Sequence, residues 1–366
     1  MYINIAKIDF GRCYSGSGGG GGEVDLDYMT LSALGDGEIT ITIPAELSSK
    51  YATSFSYSKD KSTWTDTIVD NTAKTISIPI TSGDNVYFKG DALTWFDEEN
   101  YGGLSINSTA NIDASGNIMS LLYGDNFEDK TTLPVGYNFN FSGLFSSNEH
   151  LINAKDLKLP ATTLNDNCYY SMFDSCISLV NAPALPATTL ANSCYENMFS
   201  TCSSLNAAPE LPATTLATHC YFSMFSDCET LTTAPELPAT TLTMSCYAYM
   251  FSGCTSLTAA TELPATTLAK SCYNCMFSGC TSLTTAPQLP ATALVNSCYF
   301  RMFYECSSLN NITMLATDIS STDCLTDWVN GVASTGTFTK SPEMTSLPTG
   351  ASGIPSGWTV VDYVAA

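Results

Sequence analysis

Two columns of cysteines run through this chain in step. Cys168, Cys194, Cys220, Cys246, Cys272 and Cys298 recur every 26 residues, and Cys176, Cys202, Cys228, Cys254, Cys280 and Cys306 do the same. A fixed period of this length marks stacked units, because one such unit cannot bury its own apolar face and needs its neighbours to do so. Within a unit, Cys194, Tyr195, Met198, Phe199 and Cys202 stand at relative positions 1, 2, 5, 6 and 9. That spacing predicts a short amphipathic helix with one apolar face. The residue before each first cysteine is Asn167, Ser193, His219, Ser245, Ser271, Ser297 or Asp323. All but His219 are favoured helix N-caps, and Gly253 and Gly279 suit the C-terminal cap. The SLxxAPxLP text that follows carries Pro183, Pro209, Pro235 and Pro287, which remove amide donors and keep the segment extended, with Leu, Ala and Leu turned inward. Stacked at about 4.8 Å per layer, six layers make a rod about 30 Å long.

The flanks divide the rest. The solenoid covers residues 161–323, and Cys324 continues the first column once more before Trp328 replaces the methionine. Residues 324–366 therefore read as a C-terminal cap. Residues 97–160 read as an N-terminal cap, because GLFSSNEHLINAKDLKLP (Gly143 to Pro160) is a degraded copy of the repeat. The cap also holds a strand candidate, GLSINST from Gly103, and a helix candidate, NIMSLLYG from Asn117 to Gly124. Residues 24–96 alternate in EITITIPA, TSFSYS, TISIPI and NVYFKG between turn clusters, the rhythm of a small antiparallel Ig-like β-sandwich with Trp64 and Trp95 in its core. Residues 1–23 comprise a half-apolar peptide with Tyr2, Ile3, Ile5, Ile8 and Phe10, then the flexible tether SGSGGGGG.

Charge and motifs narrow the function. Lys and Arg number 13 against 35 Asp and Glu, a formal charge of -22, which repels phosphate backbones and anionic membrane surfaces. Nucleic acid is excluded as a partner, and the absence of a long apolar run gives no signal peptide and no membrane insertion. Cys272 and Cys275 form a lone C-x-x-C without a second pair, so a zinc or redox site is not expected. His150 and His219 fall in different repeats and read as surface histidines. Asp125, Glu128 and Asp129 lack calcium-loop spacing and read as a solvated loop. No nucleophile is paired with a base, so the chain is expected to be no enzyme and to use no cofactor.

The repeat text CYxxMFxGCTSLTxAPxLPATTL closely resembles the repeats of BspA-like leucine-rich-repeat surface proteins, with the shared core FSGCTSL at Phe251 to Leu257 and Phe277 to Leu283. YMTLSALGDGEITI, NIMSLLYGDNF, DWVNGVASTGTF and GIPSGWTV also resemble flanks carried by such proteins in gut Bacteroidales and their bacteriophages. The resemblance covers nearly all of the chain from Asp27. It implies a mixed β and α/β repeat fold, an Ig-like β-sandwich followed by a leucine-rich-repeat solenoid with 26-residue repeats. It also implies a display role in adhesion, and no catalytic residues. Without a signal peptide or lipobox cysteine, the expected setting is a phage virion assembled in the host cytoplasm, as a head fibre, tail fibre or decoration. A purely structural decoration and a bacterial cell-surface adhesin are the alternatives.

Expected partners follow. The N-terminal segment, with Tyr2, Ile3, Ile5, Ile8 and Phe10, is the anchor to other virion proteins. A host surface protein or carbohydrate meets the variable helix columns, where Tyr170, Phe222, Tyr249, Phe300, Arg301 and Tyr304 escape the packing constraint and are expected to be partly exposed. The Thr and Glu columns of the extended segments, such as Thr232, Thr233 and Glu236, form a competing face. Self-association into a homo-oligomer is expected too. The ladder cysteines are expected to be reduced packing residues rather than disulfides, since eight helical residues span about 12 Å, beyond disulfide reach.

Overall fold

The computed structural model describes residues 25–45, 47, 50–97 and 102–364. The expected anchor residues Tyr2, Ile3, Ile5, Ile8 and Phe10 and the glycine tether lie outside them. The N-terminal half consists of β1 (Met29–Ala33), β2 (Gly37–Ile43), β3 (Ala52–Ser58), β4 (Thr65–Ile68), β5 (Lys74–Ile80), β6 (Asn85–Ala92), β7 (Phe96–Asp97), β8 (Gly102–Gly103), β9 (Ser105–Ser108) and β10 (Ile112–Asn117). There follow α1 (Ser120–Tyr123), β11 (Leu151–Lys158), β12 (Asn311–Met314), β13 (Thr337–Lys340) and β14 (Thr359–Asp362). One six-stranded sheet runs β11-β10-β1-β6-β3-β4, and a three-stranded sheet runs β5-β2-β9.

Alternation builds these sheets. In β2 the residues Ile39, Ile41 and Ile43 are fully buried while the threonines between them are half-exposed, and Leu31, Phe55 and Phe88 supply the six-stranded sheet's share of the same core. Trp95 is buried as expected and donates its ring N–H to the Leu121 carbonyl at 2.7 Å. Trp64 departs from expectation: it is half-buried at the surface, with the Lys89 Nζ 4.1 Å above its ring. The expected division at residue 96 falls inside this unit, since β9 pairs with β2 and β10 with β1. Long-range strand pairing, invisible in a local pattern, draws the start of the presumed cap into the sheets.

The sheet then runs directly into the repeats. β11 pairs parallel to β10, and on its other side Ala154 N–H donates to Asn181 O of the next rung. Each later rung adds parallel bridges in the same direction, such as Thr189 to Thr215 and Thr215 to Thr241. The stack ends in the parallel sheet β12-β13-β14. Trp328 closes the core there, stacking on Tyr299 and meeting the edge of Phe338, with its ring N–H on Gly353 O at 2.9 Å.

The expected repeat helices are absent: α1 is the only α-helix among the described residues. The Cys-Tyr-Met-Phe-Cys segment is instead a ribbon of tandem turns with a period of four. In one rung Cys194, Glu196, Met198, Ser200 and Cys202 donate to the carbonyl three residues back. The alternate amides, of Ser193, Tyr195, Asn197, Phe199 and Thr201, donate instead to carbonyls of the next rung. Every fourth residue is left-handed, with φ of 51° at Ser193, 56° at Asn197 and 58° at Thr201. The presumed N-caps from Asn167 to Asp323 are all such left-handed residues, and so are Gly253 and Gly279. Asn, Asp and Ser suit the role because their short polar side chains tolerate this conformation.

Magnitudes show why the ribbon holds. Each left-handed non-glycine residue costs about 1–2 kcal/mol. Against three such positions, each of the six regular rungs buries two cysteines, a tyrosine, a methionine, a phenylalanine and leucines, as at Cys194, Tyr195, Met198, Phe199, Cys202 and Leu205. The large apolar side chains return about 1.5–3 kcal/mol each, so burial outweighs backbone strain. The rings stack with their equivalents, Tyr195 on Tyr221 at 5.9 Å and Phe199 on Phe225 at 5.7 Å between centroids.

Candidate functional site

Period four sorts the side chains. In most quartets two residues face the core and two face outward, so Cys194 and Tyr195 are buried while Glu196 and Asn197 are half-exposed; Ala248 and Cys275, at outward positions, are buried. The outward positions are those singled out as variable, and they form one long face of the solenoid. Their phase comes from consecutive turns and not from a helix.

On that face Phe222 and Tyr249 lie with ring centroids 5.4 Å apart. Tyr249, Cys275 and Arg301 form one column, since each donates its backbone N–H to the residue before the next member's position: Tyr249 to Asn274 O and Cys275 to Phe300 O. Burial first, and then a hydrogen bond with the Cys275 thiol, pushes the Tyr249 hydroxyl pKa up. Arg301 sits over the rings of Phe300 and Tyr304, 5.3 and 5.1 Å from their centroids, and reaches Asp327 at 3.3 Å. Phe222, Tyr249, Phe300, Arg301 and Tyr304 are thus joined through Cys275 into one aromatic strip with a single guanidinium in it. Tyr249 and Arg301 are exposed, and Phe222, Phe300 and Tyr304 half-buried. Tyr170 is not part of it. It meets Phe139 at 6.5 Å, and Phe139 stacks on Phe96 at 4.8 Å, a separate aromatic group near the sandwich.

One member escaped the sequence reading. Asp327 holds the guanidinium, and it stands 26 residues after Arg301, a spacing that could have revealed it. Asn274, on the same strip, has a buried Oδ1 without a hydrogen-bond partner. Cys275, one half of the C-x-x-C, is buried beneath Tyr249, and burial pushes its thiol pKa up, so it lacks the accessible, easily ionised sulfur that redox chemistry needs. His219 packs edge-on against Phe222 at 5.5 Å, and His150 faces the Asn111 side-chain oxygen at 3.2 Å. Asp125 is engaged by Lys89 at 2.9 Å and by the Tyr28 hydroxyl at 2.6 Å. Among the described residues no group of three or more His, Cys, Asp or Glu side chains could hold a metal ion, and no helix is long and apolar enough to cross a membrane.

The competing face is also present. Thr232, Thr233 and Glu236 are exposed, and a groove of about 490 Å³ runs between rungs there, lined by Glu210, Pro212, Pro235, Glu236 and Pro238. Its carboxylates carry no balancing cation in the lining.

The ladder cysteines are all free thiols. The second column has a defined role: Cys202, Cys228 and Cys254 each donate S–H to the carbonyl of the preceding rung's phenylalanine, Phe173, Phe199 and Phe225, at 3.1 Å. Those carbonyls also accept the amide three residues on, so the thiol occupies a second lone pair. Comparison of the chain with protein-family models, with curated proteins and with solved structures finds no match.

Proposed function

We propose that this chain is a non-enzymatic phage virion accessory protein, a head or tail fibre or decoration, displaying a BspA-like leucine-rich-repeat solenoid behind an Ig-like sandwich. Its task is adhesion to a host surface protein or glycan. The observation that carries the reading is the aromatic strip from Phe222 and Tyr249 to Phe300, Arg301 and Tyr304. These outward positions differ from copy to copy, yet here they hold one exposed ring, Tyr249, three half-buried rings and an exposed guanidinium in a chain of charge -22. Flat rings with polar tips suit the apolar faces of sugar rings or a protein epitope. The repeat text and its flanks support the family assignment, and the half-apolar N-terminal peptide on its glycine tether supports attachment to a particle.

Two experiments test the two halves of this reading. Fluorescently labelled full chain should bind intact gut Bacteroidales cells, and Tyr249→Ala with Phe300→Ala should abolish binding while the circular dichroism spectrum is unchanged. Undiminished binding by that double variant would exclude the strip and turn attention to the Glu210 and Glu236 groove. Deleting Met1 to Tyr14 should prevent incorporation into virions; normal incorporation would sink the anchoring role.

A further inference from the structure

One exposed face of the repeats does not vary. LPATTL stands unchanged at residues 159–164, 185–190, 211–216, 237–242 and 263–268, while the outward positions of the turn ribbon change from copy to copy, as Tyr170, Glu196 and Phe222 do. Recent duplication does not explain the sameness, because both segments belong to the same copies. Burial explains only half of it. Leu185 and Ala187 point into the core, but Pro186, Thr188 and Thr189 are exposed. No threonine hydroxyl of the five LPATTL copies makes a side-chain hydrogen bond among the described residues. Nor does the backbone need threonine there: Ala293 fills the second position in the next rung and still forms its bridge, to Asp318.

The array is regular. Thr163, Thr189, Thr215, Thr241 and Thr267 are joined by consecutive parallel bridges, so their side chains repeat at about 4.8 Å up the stack and make a platform about 20 Å long. The exposed prolines Pro186, Pro212, Pro238 and Pro264 run beside the threonines as an apolar column. Pro212 and Pro238 also line the groove of about 490 Å³ that holds Glu210 and Glu236. Along these strands outward and inward residues alternate, so the middle rungs present a carboxylate, a proline ring and two hydroxyls, with Glu262 continuing the acidic column.

We infer that this face binds a neutral polysaccharide lying along the stack, of the flat, extended kind built from β-1,4-linked hexopyranoses. A ligand gains from the same groups on every rung only if it repeats at the same step, which a folded protein epitope does not. A nucleic acid repeats but carries the charge that this chain repels, and the glutamate column repels uronic acids for the same reason. A β-1,4 chain is straight, and each of its sugars advances about as far as one rung. Its C–H faces suit the prolines, and its hydroxyls find donors and acceptors on the threonines and acceptors on the glutamates. The inference is independent of the aromatic strip, which lies on a different segment of each rung.

Titration calorimetry of the full chain with cellohexaose and mannohexaose tests it. At least one hexaose should bind, and its disaccharide should bind about tenfold more weakly or worse, because it engages fewer rungs. Maltohexaose, which curls, and polygalacturonate, which is anionic, should not bind. Thr188→Val, Thr214→Val, Thr240→Val and Thr266→Val together keep the β-branched shape without the hydroxyls, and should weaken binding by about tenfold. Serine at the same positions should retain it, and so should Tyr249→Ala with Phe300→Ala. Failure of both hexaoses to bind, equal binding of disaccharide and hexaose, full binding by the valine variant, equal loss with serine, or loss on the Tyr249 and Phe300 change overturns the proposal.

Discussion

The side-chain amide of Asn148 donates to the Ile106 carbonyl at 3.1 Å, tying the first rung of the repeat stack to β9 of the three-stranded sheet. Asn140 does the same to Leu93 O at 2.8 Å. Both are fully buried, and they stand in the first rung where later rungs have their cysteine columns, since Phe141 and Phe145 stack on Tyr169 and Phe173. Replacing Asn148 by Ala should lower stability by about 1–3 kcal/mol, the usual range for an orphaned buried partner. Urea unfolding followed by tryptophan fluorescence checks this, with Trp95 at one end of the molecule and Trp328 at the other as reporters.

Left-handed backbone positions carry their own prediction. Thr201, at φ 58°, is a β-branched residue in a conformation that penalises it. Thr201→Gly should therefore stabilise the chain by about 1 kcal/mol, net of glycine's own entropy cost. The reverse change at Gly279, φ 75°, should cost a similar amount. Gly253→Ala, φ 76°, should cost a similar amount, because the added methyl meets the exposed Asp227 carboxylate, which can swing aside. Thermal melts of the three variants give the order.

The thiols of both columns should be inert in the folded chain. A disulfide-exchange reagent should leave them unmodified in buffer and titrate them as free thiols in denaturant; their absence there would mean cross-links. Cys228→Ala, which removes a donor from the Phe199 carbonyl, should cost on the order of 1 kcal/mol.

Alkaline pH should unfold this protein early. Burial pushes the thiol of Cys246 up to about 11 and those of Cys176, Cys298 and Cys306 up to about 12, from an ordinary value of 9.0. The tyrosine ladder, Tyr195 and Tyr247 among it, is raised well above 10.0 for the same reason. Between the unfolded and folded values the folded state holds protons that the unfolded chain has released. Stability from these groups is complete below about pH 9 and is lost as pH rises through 9 to 12, at about 1.4 kcal/mol per pH unit for each titrating thiol. Urea midpoints from pH 7 to 10.5 should be flat and then fall steeply. A midpoint still level at pH 10.5 would mean that the thiols are less buried than described.

The strands of the N-terminal sheets were legible because alternation of β-branched and threonine residues marks a half-buried strand, and EITITIPA and TISIPI fall in β2 and β5. The degraded copy after Gly143 was legible as a terminal rung from its spacing. The helices were misread for a definite reason. Apolar positions 1, 2, 5, 6 and 9 fit a period of 3.6 and a period of four almost equally over nine residues, and local text cannot separate them. A clue was present: glycine, serine, asparagine or aspartate recurs every fourth residue, as at Asn167, Ser171 and Ser175, where a left-handed residue is required.

By itself, then, the sequence determined the period of the stack, which side chains fill its interior and which positions differ between copies. Only the tertiary structure decided the backbone path, because half of the amides in each turn ribbon, such as those of Tyr195 and Phe199, find their carbonyls in the next rung. A bond partner 25 residues away leaves no mark on its neighbours in sequence. The same holds for the strip at Tyr249, Cys275 and Arg301, whose members lie in three different repeats and meet only when the rungs stack.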